Sequence, residues 1–352
     1  MAYKAEFYVH ETDKNALKAL KAIPGFHQFV KAFMKIWSER QYRVSNMSSC
    51  VRMNEKQLSK YYDMLPPICE KLGIDIPELY LQLDVNPNSY TSGDTTPFIV
   101  VTSGLFETIP EELIPTVLAH ECGHIACHHV LYSTMGNILL GGTASALRNF
   151  VPYGSFATMP LEIAFFYWMR CSELSADRAA VLCDGGAEKM SEVCMRLAGF
   201  DKDIDALASK DEFMVQAREY RDMIKGSKWD KTLEFLALSN RSHPLMTVRA
   251  LECEEWSTSE QFNKILDGSY ETESSETIEE LTEMSLEGEE ETEKKPKPKF
   301  EFPMFKKKAK DEGPEERTGS IPDEIRKYKE LLDDGIITEE EFSAKKKQLL
   351  GI

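Results

Sequence analysis

The stretch LAHECGHIACHHV, residues 118–130, constrains this chain more than any other part of its 352 residues. It contains four histidines, two cysteines and one glutamate, and each of these side chains can bind a metal or carry a proton. On a helix, residues four positions apart lie about 40° apart on the same face. Two histidine pairs therefore share a face, His120 with His124 and His124 with His128.

Only the first of these pairs has a carboxylate directly after its leading histidine, because Glu121 follows His120 whereas Ile125 follows His124. In H-E-x-x-H two imidazoles hold zinc from adjacent turns, and the glutamate reaches the activated water as general base. We therefore predict His120 and His124 as metal ligands and Glu121 as the base. The second pair would bind metal without a base. His129 is predicted on the opposite face, either as an ordinary polar residue or as one that supports the site from outside. A motif of five residues also arises by chance, so alone it is a hypothesis.

A third ligand is needed, because a catalytic zinc usually takes three protein ligands and a water. The stretch CSELSADRAA, residues 171–180, offers Glu173 and, four residues later, Asp177 on the same helix face. Glu173 would complete a His₂Glu set. Asp177 would accept the free ring N–H of a ligand histidine, with His120 as the preferred partner. Alanines in this stretch would let the two helices pack closely. The alternative is an ordinary amphipathic helix with surface acids.

Charge and cysteine spacing restrict partners and location. A net charge of −17 argues against nucleic acid or an anionic membrane as partner. Eight cysteines without framework spacing, and an N-terminus without an apolar signal sequence, predict free thiols in a reducing cytosol. The least charged region, residues 130–169, is interrupted by charges and prolines, so membrane contact there is not favoured. We predict a cytoplasmic protein, with peripheral membrane contact as the alternative.

The apolar pattern predicts a mainly α fold of the α+β class. Helical spacing covers most of residues 10–80 and dominates again from 161 to 256. Between them, the β-favouring runs LYLQL (79–83) and FIVVT (98–102) predict a short sheet. Thr108 and Glu111 form a predicted capping box that opens the histidine-bearing helix.

Composition divides the chain into three parts. Residues 271–293 contain eleven glutamates and 294–310 contain eight lysines, so we predict a disordered linker over 259–318. It would separate a catalytic domain, residues 1–258, from a helical hairpin, residues 319–352. The hairpin is predicted to serve oligomerisation or docking, and the alternative is that it folds back onto the catalytic domain.

The order PFIVVTSGLFE, LAHECGHIACHH, SELSADRAA and RSHPLMTVRA resembles that of the M48 (Ste24/HtpX-type) zinc metallopeptidases, over roughly residues 10–256. The end of the chain, with LLDDGIITEEEFSAKKKQLL, resembles the short C-terminal domain called SHOCT. The resemblance implies a gluzincin fold with one Zn²⁺ per chain and an edge strand, here residues 97–102, that pairs with an extended protein or peptide substrate. It also implies that His243 and Arg249 lie close to the metal.

These observations predict a zinc metalloendopeptidase in which His243 or Arg249 donates a hydrogen bond to the developing oxyanion. For His243 the alternative is a structural His-Pro turn, and for Arg249 it is an ion pair with a core carboxylate. Two other functions stay open. One is an inactive zinc-binding scaffold recruited through the hairpin, which the intact Glu121 argues against. The other is a membrane-associated quality-control protease that uses residues 130–169, although this segment lacks the transmembrane helices of many M48 relatives.

Overall fold

The computed structural model is mainly helical with one small sheet, which confirms the predicted α+β class. It describes residues 2–23, 26–36, 38–93, 95–140, 159–199, 208–227, 230, 234 and 245–270.

Along the sequence, the described helices come before, between and after the strands of the sheet. They are α1 (Ala5–Tyr8), α2 (Glu11–Lys21), α3 (Phe26–Ile36), α4 (Glu39–Ser49), α5 (Ser59–Tyr62), α6 (Leu65–Leu72), α7 (Ser103–Thr108), α8 (Ile114–Ala126), α9 (Val130–Leu140), α10 (Met159–Asp184), α11 (Glu188–Gly199), α12 (Lys210–Gly226), α13 (Met246–Ser257) and α14 (Glu260–Leu266). A single 3₁₀ turn, Glu111–Leu113, precedes α8.

Helix α8, which carries the histidine motif, begins differently from the prediction. Thr108 is the last residue of α7 and Pro110 precedes the 3₁₀ turn, so the predicted capping box is wrong. Pro115 lies in the first turn of α8, where its missing N–H leaves no hydrogen bond unmade. Proline therefore begins the regular helix and does not kink it.

The sheet consists of β1 (Val51–Met53), β2 (Glu78–Gln82), β3 (Ser89–Ser92) and β4 (Phe98–Thr102), in the order β1-β2-β4-β3. Strand β4 runs parallel to β2 and antiparallel to β3, and all five of its residues are buried. A strand that is buried on both faces reads as an unbroken apolar run, as FIVVT does. The prediction that residues 97–102 form a free edge for substrate is therefore wrong. Among the described strands, β3 is the edge beside β4.

Helices α8 and α10 pack at very short distance because small residues meet between them. A Cβ added to Gly123 would lie 2.7 Å from the Cβ of Ala179 and 3.0 Å from the backbone of Ala176. Both alanines are fully buried. The predicted close packing is present, and it brings together the helices that carry the two candidate metal motifs.

The folded part extends past the predicted start of the linker. Phe262 and Ile265 of α14 are each 3% exposed and join the largest apolar cluster. The Phe262 ring lies 5.2 Å from that of Trp256, and Tyr270 contacts Phe7 at the same ring separation. The predicted boundary at residue 259 is therefore too early, because these apolar side chains are buried. The remaining linker and the predicted hairpin lie outside the described residues.

Within the described part of the chain, no helix combines the length and the hydropathy that a membrane span requires.

Candidate metal centre and active site

Three side chains from α8 and α10 converge on one point. The Nε2 atoms of His120 and His124 are 3.2 Å apart. The Glu173 carboxylate lies 3.5 Å from the first of these nitrogens and 3.4 Å from the second. All three potential ligand atoms fall within 4.8 Å of one another. Ligand atoms held about 2.0–2.1 Å from a tetrahedral zinc lie about 3.3 Å apart, so this spacing fits a zinc ion.

Burial and neighbouring charges act differently on the two histidines. Burial lowers the pKa of His124 and outweighs the opposing effect of Glu173, which favours the neutral form that a metal ligand needs. Burial also acts to lower the pKa of His120, but hydrogen bonds with Asp177 and Glu173 outweigh it and raise that pKa. His120 is therefore the histidine more strongly held by carboxylates.

Asp177 lies behind His120, as predicted, with its Oδ1 2.8 Å from His120 Nδ1. The same carboxylate accepts two hydrogen bonds from Arg249, at 2.8 and 2.6 Å. A further guanidinium nitrogen of Arg249 lies 3.2 Å from the Glu173 carboxylate. Burial acts to raise the pKa of Asp177, but the charge and hydrogen bonds of Arg249 outweigh it and hold the pKa below its ordinary value.

The Arg249 guanidinium, one of the two predicted oxyanion donors, is engaged by the carboxylates of Glu173 and Asp177. Its side chain is 5% exposed and forms ion pairs with Glu173 and Asp177. The contacts support the alternative, an ion pair with a core carboxylate. His243, the other predicted donor, lies outside the described residues.

The Glu121 carboxylate is held by two hydroxyl groups of the edge strand β3. Ser89 Oγ donates to one of its carboxylate oxygens at 2.6 Å, and Thr91 Oγ1 donates to the other at 2.7 Å. The two hydroxyls share a face because alternate residues of a strand point the same way. Neither residue was predicted, because both lie between the two predicted strands, residues 79–83 and 98–102. The alternation of hydroxyls around Tyr90 was the available signal.

A cavity of about 410 Å³ opens onto this cluster. Its lining residues are Asn88, Ser89, Tyr90, Thr91, His120, Glu121, His124, Val130, Ser133, Met169, Ser172 and Glu173. A larger cavity of about 700 Å³ lies elsewhere, against the N-terminal segment, and is lined by none of the three convergent side chains. The smaller cavity is therefore the one that contains the candidate metal ligands and the candidate base.

His128 and His129, the other two histidines of residues 118–130, lie beyond the end of α8. His128 is exposed and adopts a positive φ of 55°, so it cannot pair with His124 on a helix face. The resulting turn folds the chain back and places His129 Nδ1 3.1 Å from His124 Nδ1. The prediction that His129 points to the opposite face is wrong, because the helix ends before it. Its contact with a candidate ligand agrees with the predicted supporting role.

Comparisons with known proteins identify the family of this chain. The model of peptidase family M48 matches residues 68–257, which is more than half of the chain and includes both candidate metal motifs. The chain belongs to peptidase family M48.

Two relatives of this M48 chain differ in how much of it they match. The plastoglobule-localized metallopeptidase 48, chloroplastic, of Arabidopsis thaliana is 35% identical over 266 residues, covering 74% of this chain and 75% of that protein. A protease HtpX homolog of Ralstonia pickettii is 28% identical over 112 residues, covering 31% of this chain and 39% of its own length. No solved structure gives a significant match.

The predicted resemblance of the C-terminal segment is confirmed, because the family model of the short C-terminal domain, SHOCT, matches residues 323–350. Family membership makes this chain a protease, and the names of its relatives agree with a metallopeptidase. The boundary at residue 318 lies outside the described residues and stays a prediction.

Proposed function

We propose that this M48 protein is a zinc-dependent metalloendopeptidase, with zinc held by His120, His124 and Glu173 and with Glu121 as general base. The observation that carries the proposal is the convergence of three ligand atoms beside the Glu121 carboxylate in one cavity. Their separations of 3.2 to 3.5 Å match the spacing around a tetrahedral zinc. A zinc ion bound there would lower the pKa of a water molecule and polarise the scissile carbonyl.

The protein's own residues would divide the remaining work. Glu121 would take a proton from the attacking water and deliver it to the leaving amine. Ser89 and Thr91 would keep its carboxylate at a fixed distance from the substrate. Asp177 would hold the His120 ring, and the Arg249 guanidinium would hold Asp177 and Glu173 together. Apart from Ser89, which is half-buried, each of these groups is buried, so its orientation is set by packing.

Substrate would bind along β3. The strand lines the cavity, bears the hydroxyls that bind Glu121 and is one of the two edge strands of the described sheet. An extended peptide can add to such an edge through main-chain hydrogen bonds. This moves the proposed substrate contact from residues 97–102 to residues 89–92, the strand that contacts Glu121.

Location and the hairpin stay proposals. We keep the cytoplasmic location, and the plastoglobule name of the Arabidopsis relative supports peripheral membrane contact as the alternative. Cell fractionation with and without an alkaline wash would separate the two. A role of residues 319–352 in self-association or docking is proposed on the SHOCT match alone.

The test is zinc analysis of the purified full-length protein alongside casein hydrolysis, with and without a chelator. Glu121→Gln should keep stoichiometric zinc and lose hydrolysis, because it removes the base and none of the ligands. His124→Ala should lose both zinc and hydrolysis. Retention of more than a few per cent of parental activity by Glu121→Gln would overturn the assignment of the base. Stoichiometric zinc in His124→Ala would overturn the ligand set.

A further inference from the structure

The second histidine of the motif is held by a chain of contacts that runs away from the cavity. His124 Nδ1 lies 3.1 Å from His129 Nδ1, and His129 Nε2 lies 2.9 Å from Oδ2 of Asp13. His129 and Asp13 are each 2% exposed. Asp13 belongs to α2, more than fifty residues before the part of the chain that the M48 model matches.

The backbone fixes His129, the middle residue of this series of contacts. Helix α8 ends at Ala126, and the positive φ of His128 reverses the chain direction. The His129 N–H then donates to the carbonyl of His124 at 2.9 Å, which holds the two residues together. The His129 and Trp168 rings are nearly perpendicular, with 5.8 Å between ring centroids, so the imidazole has a fixed orientation.

Hydrogen bonds from two side chains also fix the Asp13 carboxylate. Trp168 Nε1 donates to Oδ1 of Asp13 at 2.9 Å, and Ser175 Oγ donates to Oδ2 at 2.6 Å. Both donors come from α10, the helix that also carries Glu173. With His129 as the third donor, this buried carboxylate accepts hydrogen bonds on both oxygens. A buried carboxylate in such surroundings keeps its charge and acts only as an acceptor.

The direction of the hydrogen bonds follows from these contacts. His124 Nε2 faces His120 and Glu173, so a metal can use its lone pair only if the ring proton is on Nδ1. That proton can be donated to His129 Nδ1 only if His129 carries its own proton on Nε2. Asp13 accepts at that position. If His129 donated in the other direction, His124 would hold its proton on Nε2 and could not bind a metal there.

We propose that His129 and Asp13 are positioning residues that fix His124 for metal binding, and that helix α2 is therefore part of the metal site. Asp177 performs the corresponding task for His120 from α10. The two histidines would then be oriented by separate acceptors on separate helices. The inference rests on the proposed function only in that His124 binds a metal.

The experiment measures the affinity of the full-length protein for Zn²⁺, by competition with a chelator. Asp13→Asn removes the charge with little change of shape, and His129→Phe keeps a ring but removes both nitrogens. Each should weaken zinc binding by about 10–100-fold, as is usual when a group that orients a metal ligand is lost. The double variant should bind Zn²⁺ no more weakly than the single variant with the lower affinity, because the two residues act as one unit. The absorption bands of the Co²⁺-substituted protein should shift in both single variants.

His128→Asn is the matched control, since residue 128 is adjacent and exposed and asparagine tolerates a positive φ. Its zinc affinity should equal that of the parent. A purely structural role predicts equal losses of melting temperature with and without zinc, whereas positioning predicts a smaller rise of melting temperature on zinc addition. If His129→Phe does not fold, Asp13→Asn and His129→Gln carry the same comparison.

The inference is overturned if the folded variants bind Zn²⁺ within about threefold of the parent. That outcome leaves the proposed function intact. Failure of the proposed function has a different signature, because then the parent itself would bind no stoichiometric zinc.

Discussion

At the scale of single residues, Glu121 depends on two hydroxyls that lie outside the H-E-x-x-H motif. Ser89 and Thr91 donate one hydrogen bond to each carboxylate oxygen, at 2.6 and 2.7 Å. Hydrogen bonds to a charged group contribute about 1.5–3 kcal/mol each, roughly twice as much as those between neutral groups. They are therefore strong enough to decide where the carboxylate lies relative to the substrate.

We predict that Ser89→Ala and Thr91→Val each lower kcat by about tenfold or more, because the base is then free to leave its productive position. Zinc content should not change, since neither side chain is among the three convergent groups. Thr91→Ser keeps the hydroxyl and should retain most of the activity. Ser92→Ala is the matched control, because Ser92 contacts Thr134 and not Glu121. Single variants that keep kcat within about twofold of the parent would show that the hydroxyls do not orient the base.

At the scale of secondary structure, the geometry of the site depends on how closely α8 approaches α10. The two helices are in close contact at Gly123, one residue before His124, where an added Cβ would meet Ala179 at 2.7 Å and the backbone of Ala176 at 3.0 Å. Backbone atoms cannot rotate away as a flexible side chain can. A larger residue at this position must therefore separate the helices that carry the histidines and Glu173.

Gly123→Ala should lower the free energy of unfolding by about 1–3 kcal/mol, the usual cost of overpacking. It should also weaken zinc binding, because Glu173 would move away from the two imidazoles. Thermal unfolding and chelator competition measure the two effects. Gly186→Ala is the control, since nothing lies within 4 Å of the added Cβ there. Equal melting temperatures for these two variants would contradict the packing argument.

The sequence predicted the residues that one helix places together and missed those brought together by different elements. Spacing of four residues was enough to pair His120 with His124 and Glu173 with Asp177, because helix geometry is local. Strand β3 was missed because its residues are polar, and only the strand's position beside Glu121 explains why Thr91 is buried. Asp13 lies over a hundred residues from His129 in sequence, so no local pattern could connect them. The end of α8 at Ala126 reversed the expected direction of His129.

At the scale of the whole molecule, the catalytic part begins well before the segment that the family model matches. Residues of α2 and α3 share an apolar cluster with α9 and α10, and its members include Leu17, Leu20, Phe29, Phe33, Tyr132, Phe165 and Trp168. Trp168 and Asp13 are hydrogen-bonded within the same region. The N-terminal helices therefore stabilise α10, and through α10 they support Glu173.

The other limit of the catalytic part can be located by two truncations. A chain that ends after Tyr270 keeps α14, whereas one that ends after Ser257 loses the buried side chains of Phe262 and Ile265. Burying an apolar side chain of this size contributes about 1.5–3 kcal/mol, so losing both should lower the melting temperature by about 10 °C or more. We predict that the chain ending at 270 binds zinc, melts near the parental temperature and cleaves unstructured peptides at near-parental rates. Light scattering should show a smaller assembly if residues 319–352 mediate self-association. A fall of more than about 8 °C in the chain ending at 270 would instead support the alternative, a hairpin folded back onto the catalytic domain.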